Sequence, residues 1–327
     1  MLYLKDLMQW PLYFPTRECI VMKPKQVIPL IAICFIWGGY YVASQQTVKH
    51  MSVFDTGIVI RFLTMCLLFV IMGIRGELKE LVQVKGVLGR LLLIGVLGFS
   101  LDLTAFIGLT ISSAGTGTAL LKCDILFVNL ISCLIYKKRF SKREWLFTLV
   151  MLFGVFMVVG VDLLHFKVDA GSIFFILSAL FVSINAFVIK SAQLDKVNPQ
   201  SDDVVAFYNN FVTMILFAVT SLCMGTIGEL SRLGSDKELL LWSILAGLGQ
   251  TGIYLVYYYD LRHFPVWMVK TFLLMMPVIA AILVFFFFGQ RMSVSEILGV
   301  AIVLLGGLGM LLSERDSIKK GTILEGR

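Results

Sequence analysis

Charge is scarce in this chain of 327 residues: 15% of it is charged against 58% hydrophobic, and the mean hydropathy is +0.90. A composition so apolar cannot cover a water-soluble globule. Histidine is nearly missing, with three residues (His50, His165, His263), all at the edges of apolar runs. An intramembrane enzyme built on a serine with a histidine base therefore lacks its parts. The six cysteines (Cys19, Cys34, Cys66, Cys123, Cys133, Cys223) form no C-x-x-C and lie mostly inside apolar runs. They give neither a disulfide framework nor a metal site, and no cofactor is expected. There is no N-x-S/T sequon, which is consistent with a bacterial membrane. The net charge of +7 is spread over short connecting segments without interleaved aromatics, so nucleic acid is excluded as a partner.

What the chain does have is long apolar runs. Spans of the length that crosses ~30 Å of hydrocarbon are predicted at 27–47, 53–74, 90–110, 113–136, 145–163, 170–190, 203–225, 239–260, 264–288 and 294–312. The third and fourth are joined by a tight hairpin near Ile111 and Ser112. With the amino terminus in the cytoplasm, the inner segments hold twenty Lys and Arg and the outer ones five (Lys49, Lys167, Arg232, Lys237, Arg291), so both termini are expected on the cytoplasmic side. Residues 1–26 read as a cytoplasmic extension. The first 21 lack the basic start and apolar core of a signal peptide, and Met22-Lys23-Pro24-Lys25 reads like a natural start. Residues 314–327 read as a cytoplasmic tail.

One pattern occurs twice. Arg139, Ser141, Glu144 and Gly154 recur as Arg291, Ser293, Glu296 and Gly306, at an offset of 152. Each copy sits near the end of a block of five spans, residues 27–163 and 164–313. Five is odd, so the second block enters the bilayer in the opposite sense. The first motif falls in a loop with five basic residues and the second in a loop with one, as that inversion requires. Ser followed three residues later by Glu at a span start is a capping box, which makes the motif architectural. Inverted repeats with a site between them are the plan of secondary transporters.

Trp37-Gly38, Arg61-Phe62, the small-residue stretch Ser113 to Ala119 and the two R-x-S-x-x-E corners resemble the drug/metabolite transporter superfamily, EamA branch. The chain departs from that pattern at Ile125, where a proline kept as Pro277 is common, and at Phe147, where the second copy keeps Gly299. The resemblance covers about residues 27 to 313. It implies an all-α polytopic membrane protein in which ten transmembrane helices form two inverted five-helix repeats around a central cavity. It also implies export of amino acids or related small metabolites.

Ionisable groups in hydrocarbon cost about 2.5 to 3.5 kcal/mol even on lenient scales, so those within spans are candidates for function. They are Arg61, Asp102, Lys122, Asp124 and Lys270. Lys122 lies near the midplane, and helical spacing places it on one stripe with Thr118 and Asn129. Asp124 is about 200° round a continuous helix from it. At the 152 offset Lys270 maps to Thr118, one turn from Lys122, and its own stripe holds Trp267, Leu274 and Pro277. The two lysines are expected to hold a carboxylate or phosphate, Lys270 having snorkelling to the interface as its alternative. Asp102 maps at the same offset to Tyr254 and is a candidate for a substrate amine, a coupling proton or a buried cation. Gln250, Tyr254 and Tyr257 give the eighth span a polar aromatic face for the substrate, while Tyr258 and Tyr259 read as packing or belt residues. Arg61 is expected in a structural salt bridge with Asp102 or Asp124. Gly154, Gly299, Gly306, Gly307 and Gly309 form small faces for helix packing, with a monomer or weak homodimer expected.

The expected partners are thus a small-molecule metabolite, the lipid bilayer of a bacterial inner or plasma membrane, and protons or a counter-substrate for coupling. The competing transporter reading is an exporter of lipophilic cations, for which Asp102 is the one suitable carboxylate. A receptor or scaffold would need neither the inversion nor the buried lysines. The orientation is checked by labelling from outside: cysteine at Ser293→Cys should react with an impermeant reagent and cysteine at Ser141→Cys should not, the reverse pattern refuting it.

Overall fold

A computed structural model describes residues 24–111, 120–136, 140–159, 170–276 and 293–325. Among these the helices, in chain order, are α1 (Pro24–His50), α2 (Val53–Arg75), α3 (Leu88–Ile111), α4 (Asp124–Tyr136), α5 (Lys142–Val159), α6 (Ala170–Gln193), α7 (Asp202–Met224), α8 (Lys237–His263), α9 (Val266–Leu273) and α10 (Val294–Glu325). Short 3-10 helices follow α2 and α7 at Leu78–Val82 and Ile227–Gly234. Six of the helices are long and apolar enough to cross a membrane: Val27–His50 within α1, Val53–Arg75, Leu88–Gly108 within α3, Ile173–Gln193 within α6, Asp202–Met224 and Lys237–His263. Parts of the other four expected spans lie outside the described residues, as do residues 1–21, Ser112, the stretch Ser113 to Ala119 with Thr118, Arg139, His165, Pro277 and Arg291. α10 continues helically to Glu325, through most of the segment expected as a tail.

Large apolar side chains on the outer faces of these helices are exposed, Ile74 at 83% and Leu305 at 68% among them. Without water to drive apolar burial, that is the surface a helix offers to lipid tails, and the chain is a multi-pass membrane protein. The contacts between helices come instead from close backbone approach. α1 packs along α8 and α6 along α3, α2 packs on both α7 and α8, α3 packs on α7, and α5 packs on α10. A Cβ added at Gly95 of α3 would stand 2.3 Å from Val212 Cβ of α7, and one at Gly306 of α10 would stand 2.6 Å from Met151 of α5. The glycine faces are thus consumed inside the fold.

The ends of the helices are fixed by chemistry legible in the chain. α2 and α7 each stop at a glycine in the left-handed region, Gly76 (φ 75) and Gly225 (φ 73). The capping box forms at α5: Glu144 N–H donates to Ser141 Oγ at 3.2 Å and Ser141 N–H donates back to the Glu144 carboxylate. The start of α7 and the neighbouring ends of α2, α3, α6 and α8 are tied by ion pairs: Arg75 with Asp203, Arg90 with Asp195 at 2.5 Å, and Arg262 with Asp202 at 2.7 Å. Asp195 lies in the loop after α6. Partial burial pushes its carboxyl up, but the N–H groups of Asn198 and Val197 and then Arg90 outweigh burial and hold it below its ordinary range.

Landmarks in the middle of the two halves repeat at an offset of 149, which differs from the 152 of the capping motif. Ser52 and Ser201 are the N-caps of α2 and α7, Gly76 and Gly225 their C-caps, and α3 and α8 start at Leu88 and Lys237. The second half holds three more residues between Gly225 and Gly247, because Thr213 Oγ1 donates to Gly95 O while Thr64 Oγ1, 149 positions earlier, donates to Gly247 O, 152 positions later. At that register Asp102 corresponds to Tyr254. The halves also exchange like contacts: Ser201 Oγ donates to Glu80 Oε2 at 2.6 Å, and Ser52 N–H donates to Glu229 Oε2 at 2.7 Å. Glu80 and Glu229 are themselves 149 apart.

A test of the close α3–α7 approach follows. Gly95→Ala should lower the unfolding midpoint of the purified protein, with a cost of about 1–3 kcal/mol for overpacking against a backbone-fixed Cβ. Gly89→Ala on the same helix, where nothing lies within 4 Å of the added atom, should be neutral or slightly stabilising.

Candidate functional site

Arg61 shows how the interior is organised. It lies two turns into α2 and is 3% exposed. A buried guanidinium keeps its charge, so its donors must all find acceptors. Nη1 donates to Asn210 Oδ1 of α7 at 3.1 Å and to the Tyr254 hydroxyl of α8, and Nη2 donates to Asp102 Oδ2 of α3. One side chain thus joins four helices. Of the two carboxylates expected as its partner, Asp102 is the one it meets.

Asp124 is engaged elsewhere. Its Oδ2 lies 2.9 Å from Lys270 Nζ, with side-chain exposures of 8% and 1%. The pairing of Arg61 with Asp124 is therefore corrected, and so is the snorkelling alternative for Lys270, whose ammonium is neutralised inside the protein. The reason is a helix break. The chain turns at Lys122 and Cys123 before α4 begins at Asp124, with Cys123 N–H donating to Leu120 O at 3.0 Å. A stripe counted through a continuous helix fails across that turn. Asn129, expected beside Lys122, instead donates from Nδ2 to Thr148 Oγ1 of α5 at 3.4 Å and is wholly buried. The chain turns again at Leu274 and Met275, which are the break residues shifted by 152. Trp267, the other residue expected from that stripe, packs edge-on against Phe140 with centroids 6.2 Å apart.

Lys122 is 6% exposed, and its Nζ reaches Met276 Sδ at 3.6 Å. No carboxylate pairs with it among the described residues. Its nearest ring is Trp37, with the ammonium 5.9 Å from the ring centroid; Lys270 lies 5.6 Å from the same ring and 5.2 Å from that of Tyr257. Trp37 and Tyr257 meet edge-on at 5.1 Å. The lysines thus stand against the indole that borders the cavity.

That cavity holds about 650 Å³ including its open mouth and is walled by α1, α2, α3, α6, α7 and α8. Arg61, Asp102, Gln250, Tyr254 and Tyr257 line it, as expected for a site; Lys122, Lys270, Asn129 and Trp267 do not. The lining also includes Trp37, Tyr40, Tyr41, Asn185, Asn209 and Tyr258, none of which was expected. Tyr258, read as packing or belt, accepts from Asn209 Nδ2 at 2.7 Å and is 1% exposed, whereas Tyr259 at 40% does face outward. Trp37-Gly38 had been noticed only as a mark of resemblance. The polar-aromatic spacing of Trp37, Tyr40, Tyr41 and Ser44 on one face of α1 was the signal available for it. Among the described residues Asn185 Oδ1 has no donor, and the Tyr257 hydroxyl, which lies beside the Lys270 ammonium, has no acceptor. These are buried polar atoms on a cavity wall, able to receive a ligand's groups.

The profile of the EamA-like transporter family matches residues 25–160 and 169–312. The chain belongs to that family. Its two matched segments cover both halves of the fold, and the EamA-like proteins are transporters of the drug/metabolite superfamily. No curated protein matches the chain. Among solved structures 29 chains match. One, titled only "Crystal structure of protein", superposes with a TM-score of 0.71 at 15% identity over 90% of this chain and 99% of that one. At that identity the likeness concerns the fold alone.

The two ion pairs make the roles of the lysines separable. Lys270→Met should leave Asp124 buried and unpaired and cost about 3–5 kcal/mol. Adding Asp124→Leu to it should restore most of the loss. Lys122→Met should be neutral or stabilising. Thermal unfolding of the purified variants reads all three, and a harmless Lys270→Met would disprove the pairing.

Proposed function

We propose that this EamA-like transporter exports amino acids or related carboxylate-bearing metabolites by alternating access. The observation that carries the reading is Lys122, a buried cation without a carboxylate partner among the described residues, against the Trp37 wall of a cavity that also presents Asp102. An unpaired ammonium in low dielectric favours an anionic group beside it. With Lys270 held by Asp124, the expected two-lysine clamp reduces to one recognising lysine. Asp102, 13% exposed and shared with Arg61, is placed to meet an amine. The rings of Tyr254 and Tyr257 take the substrate's apolar part, with Gln250 and Asn185 as hydrogen-bonding neighbours. Asn129 and Trp267 support α4 and α9 and do not touch the substrate.

In this reading residues 27–163 and 164–313 are inverted repeats, giving ten spans and both termini in the cytoplasm. The reciprocal Glu80–Ser201 and Glu229–Ser52 contacts support it, because each lies at the opposite end of α2 from the other. Rocking one half against the other around a fixed midplane site is then the available motion. The carrier sits in a bacterial inner or plasma membrane as a monomer or weak homodimer and works without enzymatic chemistry.

A second reading, export of lipophilic cations, draws on the ring-rich wall of Trp37, Tyr40, Tyr41, Tyr254, Tyr257 and Tyr258, since aromatic faces attract cations. The two are separated by comparing an amino acid, its amide and its decarboxylated amine on wild type and on Lys122→Gln. The zwitterion should bind best, and Lys122→Gln should weaken it by on the order of tenfold, about 1.4 kcal/mol. Undiminished binding of the amine with no effect of the lysine change would favour the cation exporter.

A further inference from the structure

The carrier reading leaves one buried acid unused. Asp260 lies near the end of α8, is wholly buried, and neither carboxylate oxygen has a hydrogen-bond partner among the described residues. Among the described residues the other carboxylates in the middle of the bundle are engaged, Asp102 by Arg61 and Asp124 by Lys270. An ionised carboxylate with neither donor nor counter-ion is what a buried position tolerates least. Three positions earlier on the same helix face stands Tyr257, which lines the cavity, lies beside the Lys270 ammonium and has no acceptor for its hydroxyl proton among the described residues.

We propose that Asp260 is a proton-binding site in exchange with the central cavity through the Tyr257 hydroxyl. The carboxylate takes a proton to become the neutral acid. On the route from the cavity the phenol gives its proton to Asp260 as it accepts another from the cavity side, so it is never left ionised. Among the described residues Arg61 and Lys270 are paired with Asp102 and Asp124 and Lys190 sits on backbone carbonyls, which leaves Lys122 and Asp260 as the set without ionic partners. With Asp260 ionised the set is neutral; with Asp260 protonated Lys122 is uncompensated and the cavity favours an anion. Proton binding and anion binding then reinforce each other, a coupling that rests on the carboxylate reading above, whereas the proton site itself does not.

The other charged or titratable groups around this end of α8 are occupied. Lys190 of α6 donates to Leu261 O and Phe264 O, each at 2.6 Å. Asp202 of α7 is held by Arg262 and Asp203 by Arg75 of α2. Lys270 of α9 is held by Asp124. From α1 comes the Cys34 thiol, which donates to Leu30 O and Phe272 O. A sodium site is disfavoured, because a hard cation needs several oxygens and this position supplies one carboxylate and one phenol.

The test needs no substrate. Infrared difference spectra of the purified full chain between acidic and alkaline buffer should show a buried carboxylic-acid band that titrates and is lost in Asp260→Asn. Asp260→Glu should retain a shifted band, which covers the case in which the asparagine variant fails to fold. Tyr257→Phe should keep the band but slow its deuterium exchange by about tenfold or more, in line with the loss of one proton-transfer partner. A band absent from the wild type, or unchanged in Asp260→Asn, would overturn the site. Unslowed exchange in Tyr257→Phe would overturn the route, and a band abolished by sodium at constant pH would assign a cation site instead. If the titrating band is present while Lys122→Gln leaves amino-acid binding unchanged, the proton site stands and the carboxylate reading fails.

Discussion

The interior of this bundle is governed by one constraint: a charge removed from water must be met by another group of the protein. Arg61 satisfies it by reaching Asp102, Asn210 and Tyr254 on three other helices, and Lys270 satisfies it on Asp124 across a helix break. Removing a partner from such a set costs far more than the set contributes when whole, since the remaining charge is stranded. These pairs therefore fix which helices are neighbours. They also decide which polar groups remain free for a ligand.

The helix order and most boundaries could be read from the chain because the bilayer imposes them. A span must be about 20 apolar residues long, and Gly76, Gly225 and the Ser141–Glu144 box stop or start helices by local chemistry. The site was less legible. Arg61, Asp102, Gln250, Tyr254 and Tyr257 were found because they lie on continuous helices, where spacing reports direction. Lys122, Asn129, Asp124 and Lys270 lie around two breaks, and a turn of two residues rotates everything beyond it. Asp260 escaped notice because its position near a span end made it look like a loop residue; only packing reveals its burial.

The two offsets carry a related lesson. A repeat read from one motif fixes the register near that motif alone. The capping boxes and the helix breaks keep 152, whereas the caps of α2 and α7 and the starts of α3 and α8 keep 149. The three additional residues lie between Gly225 and Gly247, so from Gly95 and Gly247 onward the halves share one register while their residues differ. A carrier whose halves were identical there would present the same groups to the ligand from both sides. Here one half offers Asp102 and Arg61 and the other Tyr254 and Asn210 at the matching positions.

The paired contacts of Glu80 with Ser201 and Glu229 with Ser52 also have a mechanical meaning. α2 begins at Ser52 and its following 3-10 turn carries Glu80, so the segment is pinned to the other half at both ends. Sliding α2 along α7 would break both hydrogen bonds together, at about 1.5–3 kcal/mol for each bond to a charged acceptor. Tilting breaks one and spares the other. The fold is thus held like a door with a catch on each jamb, stiffer to shear than to tilt.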